Sequence, residues 1–125
     1  AIGADEFGGA DVADVVALAE LAKKISGADA QQLILYGVSR GGMMALLAAR
    51  QLPQTKAVIL KSALTDLVAQ RIERPEMERV FKARIPGFST MPDQVLRQRS
   101  AQYWPELLPA TLPVLQLHGA KDDRV

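Results

Sequence analysis

Leu33-Ile34-Leu35-Tyr36-Gly37-Val38-Ser39-Arg40-Gly41-Gly42 is the stretch that decides the fold. Its first six residues are apolar without a break and are bounded by turn formers. Such a run predicts a strand buried on both faces, as in a parallel sheet. The period then changes at once. Over residues 40–51 the apolar positions Met43, Met44, Leu46, Leu47 and Ala48 fall at helical spacing, and Pro53 closes the segment. Residues 57–60 (AVIL) and 114–117 (VLQL) are further short apolar runs of the strand type. Strand, helix, strand in this order is a βαβ unit, so the expected class is α/β with a parallel sheet.

Upstream, Asp5-Glu6-Phe7-Gly8-Gly9 reads as a turn-rich loop. Asp11 is expected to cap a helix, with Asp14 adding negative charge where the helix dipole favours it. Val12, Val15, Val16, Ala19, Ala22 and Ile25 recur at helical spacing, Lys23 and Lys24 fall in the last turn, and Gly27 is the stop. Downstream, residues 67–112 change character. Seven basic residues (Arg71, Arg74, Arg79, Lys82, Arg84, Arg97, Arg99) mix with five acids (Glu73, Glu76, Glu78, Asp93, Glu106). Pro75 suits the first turn of a helix over 76–82, and Thr90 is expected to cap one starting at Pro92. Two readings of this helical excursion stay open: a solvated cover, or a lid or subsite wall above a pocket.

The chain has 125 residues, which allows one domain. Its 15 basic and 14 acidic residues leave a net charge of +1 and no basic stripe, so no nucleic-acid partner is expected. The absence of Cys removes disulfides, thiolate zinc sites and cysteine nucleophiles. With one His, a His-rich metal site is excluded too, and no cofactor is expected. No apolar run approaches the roughly 18 residues that span a bilayer, and no signal-peptide pattern opens the chain. The expectation is therefore no membrane partner and a cytoplasmic location.

Gly37-Val38-Ser39-Arg40-Gly41 is a G-x-S-x-G, a pattern that arises by chance in roughly one chain of this length in twenty-five. Context raises its weight, because it ends a buried strand and opens a helix. That is the setting of a nucleophile elbow. The turn is so tight that Ser39 must take a strained backbone conformation, and bulk at Gly37 or Gly41 is expected to clash. Gly42 extends the small-residue run where the helix packs on its strand. Ser39 Oγ then stands clear at the carboxyl end of the sheet, and the Arg40 N–H is placed to donate to an oxyanion.

A second signal, Leu117-His118-Gly119-Ala120-Lys121-Asp122-Asp123-Arg124-Val125, again follows a strand at the same end of the sheet. An acid there can orient a catalytic imidazole. Asp122 is the first choice and Asp123 the alternative. His118, at the end of the strand itself and four residues before the acid, reads as a brace for the loop rather than as a base.

YGVSRGGMM, KAVILKSALTDL, SAQYW and LPVLQLHGAKDDRV, in this order, resemble the prolyl-oligopeptidase-like serine peptidases of the α/β-hydrolase fold. DEFGGADVADV is similar to the loop and helix before the nucleophile strand in bacterial members. The resemblance covers almost the whole chain. H-G-x-x-D-x-R-V is its most discriminating block, since G-x-S-x-G is shared with esterases and lipases. It implies Ser39 as nucleophile, Asp122 as triad acid, the Arg40 N–H as an oxyanion donor and Arg124 as a holder of a substrate carbonyl. His118 and Gly119 belong to its structural motif. It also implies a second oxyanion donor upstream of Ala1 and a catalytic His downstream of Val125.

These residues are thus expected to form an incomplete catalytic domain over 1–125, whether a truncated chain, a partial gene product or half of a split assembly. The resemblance further implies that the strand at 57–60 lies between the other two, and exposed sheet edges should favour self-association. The expected function is hydrolysis of peptide amide or ester bonds through an acyl-enzyme. Two alternatives stand beside it: a carboxylesterase or dienelactone-type hydrolase, and a non-catalytic module of the same fold. Intact Ser39, glycines and Asp122 weigh against the last.

Overall fold

The computed structural model describes residues 3–122 and Arg124. Helix α1 (Val12–Ala22) leads to strand β1 (Leu33–Val38), helix α2 (Arg40–Ala49) and strand β2 (Thr55–Lys61). The excursion follows as α3 (Leu67–Glu73), α4 (Met77–Arg84), α5 (Pro92–Arg97) and two single 3-10 turns, before strand β3 (Val114–Leu117). The sheet order is β1-β2-β3 and both pairings are parallel, with Tyr36 opposite Ile59 and Ile59 opposite Leu115. The parallel α/β reading and the central place of β2 therefore hold.

Burial on both faces does not hold. Leu33, Leu35, Val58 and Leu60 point to the helical side, where they pack with Met43, Leu46, Leu67, Phe81 and Leu96 in one cluster. On the other face Ile34, Tyr36 and Val38 are 63, 61 and 46% exposed. All four β3 residues are exposed, because β3 is an edge strand. An apolar run reports the chemistry of both faces, whereas the described helices share one core and cover only one of them.

The excursion is more than a solvated layer. Phe81, Phe88, Leu96 and Trp104 are buried, and so are Arg99 and Ser100. Ser100 Oγ donates to the Leu96 carbonyl at 2.7 Å and accepts the Leu67 N–H at 2.9 Å, stitching α5 to α3. The Arg99 guanidinium donates to the carbonyls of Phe7 (3.1 Å) and Val95 (2.9 Å), tying the excursion to the first loop. A buried guanidinium satisfied by backbone carbonyls keeps its hydrogen bonds without needing solvent.

Two capping expectations are corrected. Asp11 makes no capping bond; its carboxylate turns back to accept the Gly8 N–H at 3.1 Å, where Gly8 sits at φ +87°. The orphan N–H groups of Val12, Ala13 and Asp14 instead bond three residues back. Thr90 does not cap α5 either. Its N–H and that of Met91 both donate to Gly87, which leaves Thr90 one residue short of the cap position. The α1 pattern also runs past its helix: Lys23 is the C-cap and Ile25 is 62% exposed.

Candidate active site

Ser39 continues the β1 ladder for one more bond, donating its N–H to the Lys61 carbonyl at 2.9 Å. The chain then turns sharply, with Ser39 at φ +51° and ψ −122°. A non-glycine residue there costs roughly 1–3 kcal/mol and persists only if its surroundings enforce it. They do so here. The Ser39 carbonyl accepts from both the Gly42 N–H (2.9 Å) and the Leu64 N–H (3.2 Å), while its side chain makes no capping bond.

The glycines divide this work unevenly. A Cβ on Gly37 would lie 2.2 Å from the Gly41 carbonyl oxygen, so only glycine permits the turn there. The clash expected at Gly41 is absent: that position is exposed, with nothing within 4 Å of an added Cβ. The constraint falls on Gly42, whose Cβ would lie 2.4 Å from the Ala63 Cβ. The tight neighbour is thus the segment after β2, more than the helix's own strand.

Arg40 is the first residue of α2, so its N–H has no partner within the helix. Its guanidinium holds the Asp5 carboxylate at 2.9 and 3.0 Å and lies over the Phe7 ring, 5.1 Å from the centroid. Arg84, at the end of α4, donates to the same carboxylate. The Arg40 hydrogen bond, with smaller help from the Phe7 N–H and the nearby charges, holds Asp5 below the usual carboxylate range despite partial burial. Sequence reading missed Asp5 as a partner of the elbow, because thirty-five positions separate it from Arg40.

The loop after β3 lies at the same end of the sheet as Ser39, since all three strands run parallel. One strand intervenes, which separates the two strand ends by roughly 10 Å. The Asp122 N–H donates to the Gly119 carbonyl at 3.0 Å, and Asp122 Oδ1 accepts the Arg124 N–H at 3.0 Å. His118 Nε2 faces Asp122 Oδ2 at 3.8 Å, so the ring turns into its own loop. An added Cβ on Gly119 would meet Asp122 only at ordinary contact distance, 3.8 Å. The Arg124 carbonyl accepts from the buried Gln70 side chain of α3 at 2.8 Å. Asp123, the alternative acid, lies outside the described residues, as does Val125.

A cavity of about 360 Å³ opens beside this loop, lined by Lys61, Ser62, Gln116, Leu117, His118 and Gly119. Ser62 is another non-glycine residue with positive φ, at +42°. A larger cavity of about 480 Å³ borders Leu47, Arg50 and Arg99. It lies at the far end of α2, roughly 15 Å along the helix from Ser39, and has no part in this site. Among the described residues no helix is long and apolar enough to cross a membrane.

A parallel sheet with a strained serine at a strand-to-helix turn and an acidic loop at the same sheet end defines a partial α/β-hydrolase fold. The chain belongs to the prolyl oligopeptidase family, whose model matches residues 1–125. It is similar to the uncharacterized peptidase YtmA of Bacillus subtilis (strain 168), with 25% identity over 124 residues. That match covers 98% of this chain and 48% of the relative, so the chain spans about half the length of the curated protein it matches. No solved structure matches the chain significantly.

Proposed function

We propose that these residues carry the nucleophile and the acid of a serine hydrolase of the prolyl oligopeptidase type. Its substrates are peptide amides or esters. The observation that carries the reading is the Ser39 backbone at φ +51°, ψ −122°, a strained conformation for a side chain that caps nothing. Family membership and the peptidase name of the relative support the same class.

In this reading Ser39 Oγ attacks the substrate carbonyl carbon and its proton passes to an imidazole. The carbonyl electron pair moves to oxygen, which accepts the Arg40 N–H. Collapse of the tetrahedral intermediate breaks the C–N or C–O bond, and the imidazolium protonates the leaving amine or alcohol. Water then attacks the acyl ester by the same route, releasing the acid and restoring the Ser39 hydroxyl. Asp122 holds the imidazole in the required tautomer, and Arg124 holds a substrate carbonyl. The family resemblance assigns the imidazole to a His beyond Asp122. His118 is committed to its own loop, with Nε2 toward Asp122.

A fluorophosphonate probe and a p-nitrophenyl ester test this on the protein in its full encoded length. Labelling and turnover should vanish in Ser39→Ala, and Asp122→Asn should lower kcat by about three to four orders of magnitude. The 125 residues alone should turn over the ester at least about a thousandfold more slowly, for want of a placed base. Labelling that survives Ser39→Ala would place the nucleophile elsewhere and end the proposal.

A further inference from the structure

We propose that Ser62 is a positioning residue for the oxyanion-binding N–H: its strained backbone turns the chain so that the Leu64 N–H reaches the Ser39 carbonyl and fixes the Ser39–Arg40 peptide. This rests on the reading of Ser39 as nucleophile given above.

The Ser39 carbonyl and the Arg40 N–H belong to one planar peptide, so whatever holds the carbonyl aims the N–H. Two donors hold it. The Gly42 N–H (2.9 Å) lies in the first turn of α2 and moves with that helix, whereas the Leu64 N–H (3.2 Å) comes from the segment after β2. The Leu64 bond therefore ties this peptide to a second element.

A regular strand would not make that bond. Peptide groups along a strand face alternate neighbours, so every second residue donates to the same side. Val58 and Ser62 keep this rule, donating to the carbonyls of Pro113 (3.0 Å) and Leu117 (2.8 Å) on the β3 side. Leu64 has the same parity, yet it donates to Ser39 on the β1 side. The chain changes sides between them, and Ser62 itself sits at φ +42°. Rotation about its N–Cα bond leaves the Ser62 N–H in the ladder and redirects everything beyond. Ala63 then packs against Gly42, and the Thr65 carbonyl accepts the Gln102 N–H at 3.2 Å, which holds the redirected segment in place. Strain of this kind persists only where its surroundings enforce it, and it collects at functional sites. Three residues thus join the carbonyl that ends β3, ahead of the acid loop, to the peptide that meets the oxyanion. Loss of one oxyanion donor lowers turnover by about a hundred- to a thousandfold, and a 1 Å misplacement has effects approaching the lower figure.

The test compares Ser62→Thr, Ser62→Val, Ser62→Ala and Ser62→Gly in the full encoded length, with Ser39→Ala as control. β-Branched residues resist positive φ, so Ser62→Thr and Ser62→Val should each lower kcat for the p-nitrophenyl ester about tenfold and leave KM within about twofold. The rate of fluorophosphonate labelling should fall by the same factor, because that reaction also builds charge on an oxygen at the Arg40 N–H. Both rates are read well below every thermal midpoint. Ser62→Gly accepts the turn and Ser62→Ala lacks only the hydroxyl, so each should lose no more than about threefold. A loss in Ser62→Ala as large as in Ser62→Thr would assign the effect to the hydroxyl and overturn the backbone role. Unchanged kcat in Ser62→Thr and Ser62→Val, with only a lower thermal midpoint, would overturn it too, while Ser39 stays the nucleophile. Turnover that survives Ser39→Ala would overturn the nucleophile and this proposal together.

Discussion

Gly42 in α2 and Ala63 just after β2 approach so closely that a Cβ on Gly42 would fall 2.4 Å from the Ala63 Cβ. This contact, with Gly37 against the Gly41 carbonyl, clamps the turn at Ser39 from two sides. Gly42→Ala should therefore cost about 1–3 kcal/mol, and Ala63→Gly should recover part of it. Gly37→Ala meets backbone and should cost at least about 3 kcal/mol. Gly41→Ala, in the open, should be neutral or stabilising by up to about 0.5 kcal/mol. Urea unfolding of the three glycine variants and of the Gly42→Ala, Ala63→Gly pair checks the order.

Strain at Ser39 makes a prediction of opposite sign. Glycine tolerates positive φ, and the Ser39 side chain contributes no capping bond that would be lost. Ser39→Gly should raise stability by about 1 kcal/mol over wild type while abolishing fluorophosphonate labelling. Ser39→Ala, which keeps the strain, should leave stability near wild type. Unfolding curves for both variants separate relief of strain from a general tolerance of the site.

The depressed pKa of Asp5 sets a pH window. Its folded-state value lies below the ordinary 3.8, mainly through the Arg40 hydrogen bond. The ionised carboxylate therefore stabilises the fold above the ordinary value, and that contribution is lost as pH falls through the folded value. The stability gap between wild type and Asp5→Asn should be constant above about pH 5 and shrink progressively as pH falls below the ordinary value. Because the groups are partly exposed, the gap should not exceed about 1 kcal/mol. Thermal melts across that range measure it.

The bare sheet face leads to a solution property. Ile34, Tyr36, Val38, Leu115 and Leu117 form exposed apolar positions on β1 and β3. The 125 residues are expected to self-associate through them, and Tyr36→Lys with Leu117→Lys should shift sedimentation toward monomer. Monomeric behaviour of the unaltered chain at the highest concentrations would count against this.

Strand identity and the strained turn were legible because each rests on local pattern, and the order of the sheet because the family resemblance implied it. LILYGV cannot form an amphipathic helix, and a G-x-S-x-G after it has few other uses. Contacts across the chain were not legible. Nothing in the spacing of Asp5 and Arg40 marks them as partners, and Asp11 looks like a cap until Gly8 turns its N–H toward the carboxylate. Arg99 reads as solvated in a charged segment, yet it is buried because the carbonyls of Phe7 and Val95 satisfy it. The motif puts the glycine requirement on Gly37 and Gly41, whereas packing places it on Gly37 and Gly42.

Gln70 reaches the carbonyl of Arg124 from one turn inside α3, and the α3 start is pinned in turn by Ser100. The excursion is therefore held at fixed length over its opening residues, in step with the acid-bearing loop. Arg74 Nη1 donates to the same carbonyl at 3.3 Å, so insertions and deletions within residues 66–74 would shift that loop, whereas among the described residues the turn at 86–90 carries no such tie. Relatives that differ in substrate should vary in length at that turn and keep the spacing from Asp66 to Arg74 unchanged.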